Sequence, residues 1–133
     1  MSRRVIIAGD RNWSDFELYE KITALLSAMP YRVVNDSANG IPRRIPDVEI
    51  VHGACKGVDT AAGQIAEAMG FSVKAFPADW SRGRWAGPAR NKEMLDYGAV
   101  AVYLFHKNIG NSKGTKNMMD QAEKRGVPTI LSN

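Results

Sequence analysis

The 133-residue sequence is 44% hydrophobic and 24% charged, a balance that supports one folded core and excludes a disordered chain. Its 18 Lys and Arg against 14 Asp and Glu leave a net charge of +4, which suits a polyanionic or phosphorylated partner but lacks the long basic run of a nucleic-acid tail. Cys55 is the only cysteine, which excludes an intramolecular disulfide and a multi-cysteine zinc site.

The apolar run Val5–Ala8 meets Gly9 and Asp10 after four residues, too short for the core of a secretory signal. No apolar stretch approaches the ~18 residues of a membrane span, so a reducing, cytoplasmic setting is expected. The run itself reads as a strand buried on both faces. Ser14-Asp15-Phe16-Glu17 has the pattern of a capping box. Leu18, Ile22, Leu25, Leu26 and Met29 follow at helical spacing until Pro30 stops the helix. Asn35 to Pro46, with one Gly, two Pro and no periodicity, is expected to be a long surface loop inserted into the domain.

Val48–Val51 reads as a second strand, and Gly57–Met69 as a helix closed by Gly70. A third strand is expected at Val73–Phe76, then a turn-rich stretch from Pro77 to Pro88. Pro88 suits the first position of another helix, running to about Tyr97. Ala99–Phe105 is a continuous apolar strand, expected at the centre of the sheet. A last helix covers about Thr115 to Arg125, and a last strand Thr129–Leu131. This alternation predicts a single α/β domain over residues 1–133, a three-layer Rossmann-like sandwich on a five-stranded, mainly parallel sheet.

In such sheets ligands bind beyond the carboxyl ends of the strands, which singles out four loops. In the first, Gly9 lets the backbone approach a ligand, with Asp10 and Arg11 beside it; a guanidinium forks onto phosphate. In the second, Gly53, Ala54 and Gly57 fit a cradle of backbone amides for phosphate. Asp59 there caps the helix, binds ribose hydroxyls or polarises a water. His52 and Cys55 lack the further ligands of a metal site. In the third, Trp80 or Trp85 can stack on a base while the other plugs the end of the sheet. Gly87, Pro88, Arg90 and Asn91 open the following helix toward the same mouth. The fourth loop ends in Ser112, Lys113, Gly114 and Thr115, a second amide nest at a helix start.

In order along the chain, Gly9-Asp10-Arg11, Gly53-Ala54-Cys55-Lys56-Gly57-Val58-Asp59, Ala86-Gly87-Pro88-Ala89-Arg90-Asn91-Lys92-Glu93-Met94 and Asn111-Ser112-Lys113-Gly114-Thr115-Lys116-Asn117-Met118 resemble the motifs of the SLOG superfamily. The resemblance is to its small stand-alone YspA-like domains of bacteria and phages, related to the Lonely Guy phosphoribohydrolases and the core of DNA-processing protein A. It implies a nucleotide or nucleotide-derived ligand, down to an ADP-ribose-like signal, and a homodimer paired through helix faces. No cofactor is expected. The Lonely Guy enzymes carry a Glu where this chain has Met118, so binding as a sensor or sequestering domain is the first expectation. The alternative is a nucleoside 5′-monophosphate N-glycosidase or transferase, with Asp59 and Arg90 as its catalytic pair. The second alternative is single-stranded DNA binding.

Overall fold

A computed structural model describes residues 3–36, 38 and 40–133. Five strands form one sheet in the order β5-β4-β1-β6-β7: β1 (Arg3–Gly9), β4 (Val48–His52), β5 (Ser72–Ala75), β6 (Ala101–Phe105) and β7 (Thr129–Ser132). All four pairings are parallel. Helices α1 (Phe16–Ser27) and α2 (Val58–Ala68) cover one face, and α3 (Ala86–Tyr97) and α4 (Gly114–Lys124) the other. The expected three-layer α/β architecture is therefore the one observed.

Side-chain alternation along β1 explains the two cores. Val5 and Ile7 pack under α1 and α2 with Leu18, Ile22, Leu26 and Ala62, while Ile6 packs under α3 and α4 with Met94, Leu104 and Met118. Fully burying each Leu or Ile contributes about 1.5–3 kcal/mol. β1, between β4 and β6, holds the middle of the sheet, rather than the apolar strand β6. The chain leaves β1 toward β4 through α1 and later returns to its other side as β6, so strand order reverses between β1 and β6.

Four further expectations are corrected. The supposed loop at 35–46, of which residues 37 and 39 lie outside the described residues, forms most of an antiparallel hairpin of β2 (Tyr31–Asp36) and β3 (Ile41–Pro46). Tyr31, Val33 and Ile41 are all exposed, so no apolar alternation marks the strands. Pro42 and Pro46 are tolerated because a two-stranded sheet is all edge. Asp15, not Ser14, caps α1: the helix starts at Phe16, and Asp15 accepts from the Leu18 amide at 2.9 Å. α3 starts at Ala86, which puts Pro88 third, still in the first turn where its missing amide costs nothing. Neither Trp80 nor Trp85 plugs the sheet end, being 50% and 80% exposed; Trp13 does so at 3%, its indole nitrogen donating to Asp15 at 2.9 Å.

Candidate functional site

The loops after β1, β4 and β5 meet at one end of the sheet, fastened by backbone contacts. Asp10 carbonyl accepts from the amides of Trp13 at 3.4 Å and Val58 at 3.1 Å, so the β1 loop is bonded to the start of α2. Gly57 makes this possible. Its φ of 78° lies in the left-handed region, and a β-carbon there would stand 2.6 Å from the Arg11 carbonyl. Ala54 also has a left-handed φ, 59°, which costs a non-glycine residue roughly 1–2 kcal/mol.

The β4 loop turns several amides inward. Gly53 donates to Asp59 Oδ2 at 3.0 Å, Cys55 approaches the same oxygen at 3.4 Å, and Ala54 donates to His52 Nδ1 at 3.0 Å. The anion held by the expected cradle is thus the chain's own Asp59, 4% exposed. Burial pushes the Asp59 carboxyl up to about 6, against the opposing pull of Arg90 and the amides of Cys55, Gly53 and Gly9. His52, at the strand end, is held below its ordinary value by burial.

Arg90 is also buried, at 7% exposure. It donates to the carbonyls of Gly53 and Phe76 and, through Nε, to Asn91 Oδ1 at 3.0 Å. Both terminal nitrogens lie 3.8 Å from Cys55 Sγ. Gly53 is caught between the two buried charges: a β-carbon there would sit 2.6 Å from Arg90 Cζ and 2.9 Å from Asp59 Oδ2. Asn91 extends the chain of contacts across the sheet, its Nδ2 donating to Gly114 carbonyl at 3.3 Å and Asn117 Oδ1 at 3.1 Å. Arg90 and Asn91 therefore act as internal struts joining the segments at Gly53 and Gly114. Ser112 Oγ accepts from the buried Thr115 amide at 3.0 Å, while Lys113 and Gly114 are exposed.

Two clefts open at this end. One, of about 280 Å³, is lined by Arg11, Gly53, Ala54, Cys55, Lys56, Pro77, Ala78 and Trp80. The Arg11 guanidinium lies 5.1 Å from the Trp80 ring centroid, a cation–π contact, and the ring edge rests over Gly87. Asp79 holds the short turn bearing Trp80 by accepting from the Ser81 amide at 3.2 Å. The other cleft, of about 210 Å³, lies at the strand-order reversal and is lined by Asp10, Asn12, Trp13, Ser14, Asp15 and Lys107. Gly9 pairs with Phe105 between them. Pro88 stays exposed on α3, its carbonyl accepting from Gln121 at 3.1 Å.

The structure thus places Arg11, Gly53, Ala54 and Trp80 on one cleft and Asp10 on the other. Ser112 to Thr115 line neither. Lys56, Pro77 and Ala78 in the first cleft and Lys107 in the second were not singled out from sequence, although each follows a strand end. Among the described residues no group of three or more His, Cys, Asp or Glu is arranged to hold a metal ion. No helix among them is long and apolar enough to cross a membrane.

Residues 3–83 match the sequence model of the YAcAr family, described as the YspA, cpYpsA-related SLOG family. The Gene 61 protein of Mycobacterium phage D29 is 34% identical over 135 residues, covering 96% of this chain and 94% of its own. DNA processing protein A from Streptococcus pneumoniae shares the fold at a TM-score of 0.70 and 17% identity. That match covers 98% of this chain but spans only 50% of the larger protein.

Proposed function

The chain belongs to the YspA, cpYpsA-related SLOG family, and from that premise we propose that it binds a nucleotide or nucleotide-derived ligand as a sensor or sequestering domain. The observation that carries the reading is the cleft between Arg11, Lys56 and Trp80. Arg11 and Lys56 supply cations for a phosphate, and the half-exposed Trp80 supplies a face for a base. Arg90 and Asp59 act one step behind, fixing Gly53 in the cleft wall from the buried side.

Binding without turnover fits the buried residues better than hydrolysis. Cleaving a ribose–base bond needs a carboxylate near the sugar. Met118, 1% exposed, points into the core under α4. Asp59 faces the amides of Gly53 and Cys55.

Calorimetry with a nucleoside 5′-monophosphate, an ADP-ribose and the free nucleoside tests the reading. Arg11→Ala is expected to weaken the phosphorylated ligands roughly tenfold or more while leaving the nucleoside little changed. Trp80→Ala is expected to weaken all three. No detectable binding of any of them, or equal loss of phosphorylated and free ligands on Arg11→Ala, contradicts the assignment. Chromatography of the same mixtures is expected to show no released base.

A second reading, single-stranded DNA binding, is favoured by Trp85, 80% exposed between Arg84 and the start of α3. It requires Trp85→Ala to weaken a labelled oligonucleotide.

A further inference from the structure

The hairpin β2–β3 stands apart from all this. It forms its own two-stranded sheet and shares no ladder with the central one. Its base is closed by Asp47 amide donating to Pro30 carbonyl at 2.9 Å, and Asp47 carbonyl accepts from Arg3, the first residue of β1, at 3.4 Å. The hairpin therefore projects from the amino ends of the strands, opposite the clefts.

Arg32, Arg43 and Arg44 against Asp36 alone give this segment half of the chain's net charge of +4. The cross-strand register Arg32↔Ile45, Val33↔Arg44 and Val34↔Arg43 puts Arg32 and Arg43 on one face and Arg44 on the other. The side chains of Arg32 and Arg43 make no hydrogen bond or ion pair among the described residues. Three forked cations on a projecting ribbon suit a polyanion.

We propose that this hairpin is a docking arm for duplex nucleic acid, in which Arg32, Arg43 and Arg44 meet phosphates. A two-stranded ribbon fits the major groove of B-form DNA, about 12 Å wide. Arginines leaving both faces reach the phosphate chains on either side of that groove, and planar guanidinium groups suit phosphate oxygens. A single strand suits the hairpin less well. Proteins that grip single strands stack bases on several open aromatic rings, and the hairpin offers one ring, that of Tyr31, with the Arg44 guanidinium over one face 4.4 Å from its centroid.

The test is fluorescence anisotropy of the full chain with a labelled 20-base-pair duplex over a range of salt concentrations. Wild type is expected to bind at low salt and release steeply as salt rises. The triple variant Arg32→Ala/Arg43→Ala/Arg44→Ala is expected to bind roughly tenfold or more weakly, with the slope of log affinity on log salt reduced by about 0.9 for each phosphate no longer neutralised. Its Tm and its calorimetric binding of a nucleoside 5′-monophosphate are expected to match wild type. Should the triple variant not fold, Arg43→Glu alone carries the test, with the same direction. The proposal is overturned by no duplex binding by wild type at low salt; by unchanged affinity and slope in both variants; by tighter binding of the single strand with the same arginine dependence; or by equal competition by poly-glutamate, which would mark an acidic protein partner. Loss of duplex binding on Arg11→Ala, with the hairpin variants unaffected, would place the duplex in the cleft and also overturn it.

Discussion

Asp59 keeps a carboxylate where water is nearly excluded, and its surroundings decide what that costs. Burial favours the protonated form, while the Arg90 charge and three backbone amides favour the ionised one; burial wins, since the group titrates near 6 instead of 3.8. A folded-state value above the unfolded one means that the native chain binds the extra proton between about pH 3.8 and 6. The stabilisation from that proton is complete below about pH 3.8 and is lost as pH rises through about 6. His52 runs the other way: its lowered value means stability is lost as pH falls below 6.5. Asp59→Asn retains an oxygen for the Gly53 amide but cannot titrate. The Tm of wild type minus that of Asp59→Asn is therefore expected to shrink as pH is raised from about 4 to about 6.5, with the His52 contribution cancelling in the difference. A constant difference across this range would mean that Asp59 does not titrate there.

At the scale of elements, the buried strands and small-residue helices were legible in the sequence. Val5–Ala8 and Ala101–Phe105 are apolar because both faces are covered, and Ala61, Ala62 and Ala66 recur at the spacing of a helix pressed against the sheet. The hairpin was not legible, because a ribbon wet on both faces has no buried stripe to set a period of two. The direction of Arg90 and Asn91 was legible only in part. A helix expected to open at Pro88 put them in its first turn, facing the ligand mouth, yet they are the fifth and sixth residues of α3, and each lies four residues before a buried apolar residue, Met94 or Leu95, and so shares its inward face. Lys56 carries no signal of its own in the sequence beside the glycines of its loop.

The hairpin's independence at this scale also has a measurable side. Pro30 and Asp47 are already hydrogen-bonded, so residues 31–46 can be replaced by two glycines without stretching the chain. The shortened protein is expected to unfold in one cooperative thermal transition, destabilised by about 1 kcal/mol or less, a Tm change of roughly 4 °C for a chain of this length. A broad or multiple transition would show that the sheet depends on the hairpin after all.

Across the whole molecule, parallel topology sends the carboxyl ends of the central strands to the end of the sheet that holds the clefts and leaves the amino ends to the hairpin. The proposed small-molecule and duplex surfaces are thereby kept apart by the length of the sheet. The family match over residues 3–83 and the shared fold agree with the family and architecture expected from the sequence, while the proposed ligand rests on Arg11, Lys56 and Trp80.

The bond between Asp10 carbonyl and the Val58 amide, with Gly57 lying against Arg11, ties the loops after β1 and β4 into one stiff rim at the cleft. A receptor whose walls are set in advance loses little freedom when its guest arrives. Stopped-flow mixing with excess nucleotide is accordingly expected to give a single exponential whose rate climbs linearly with concentration, with no plateau from a slow closing step.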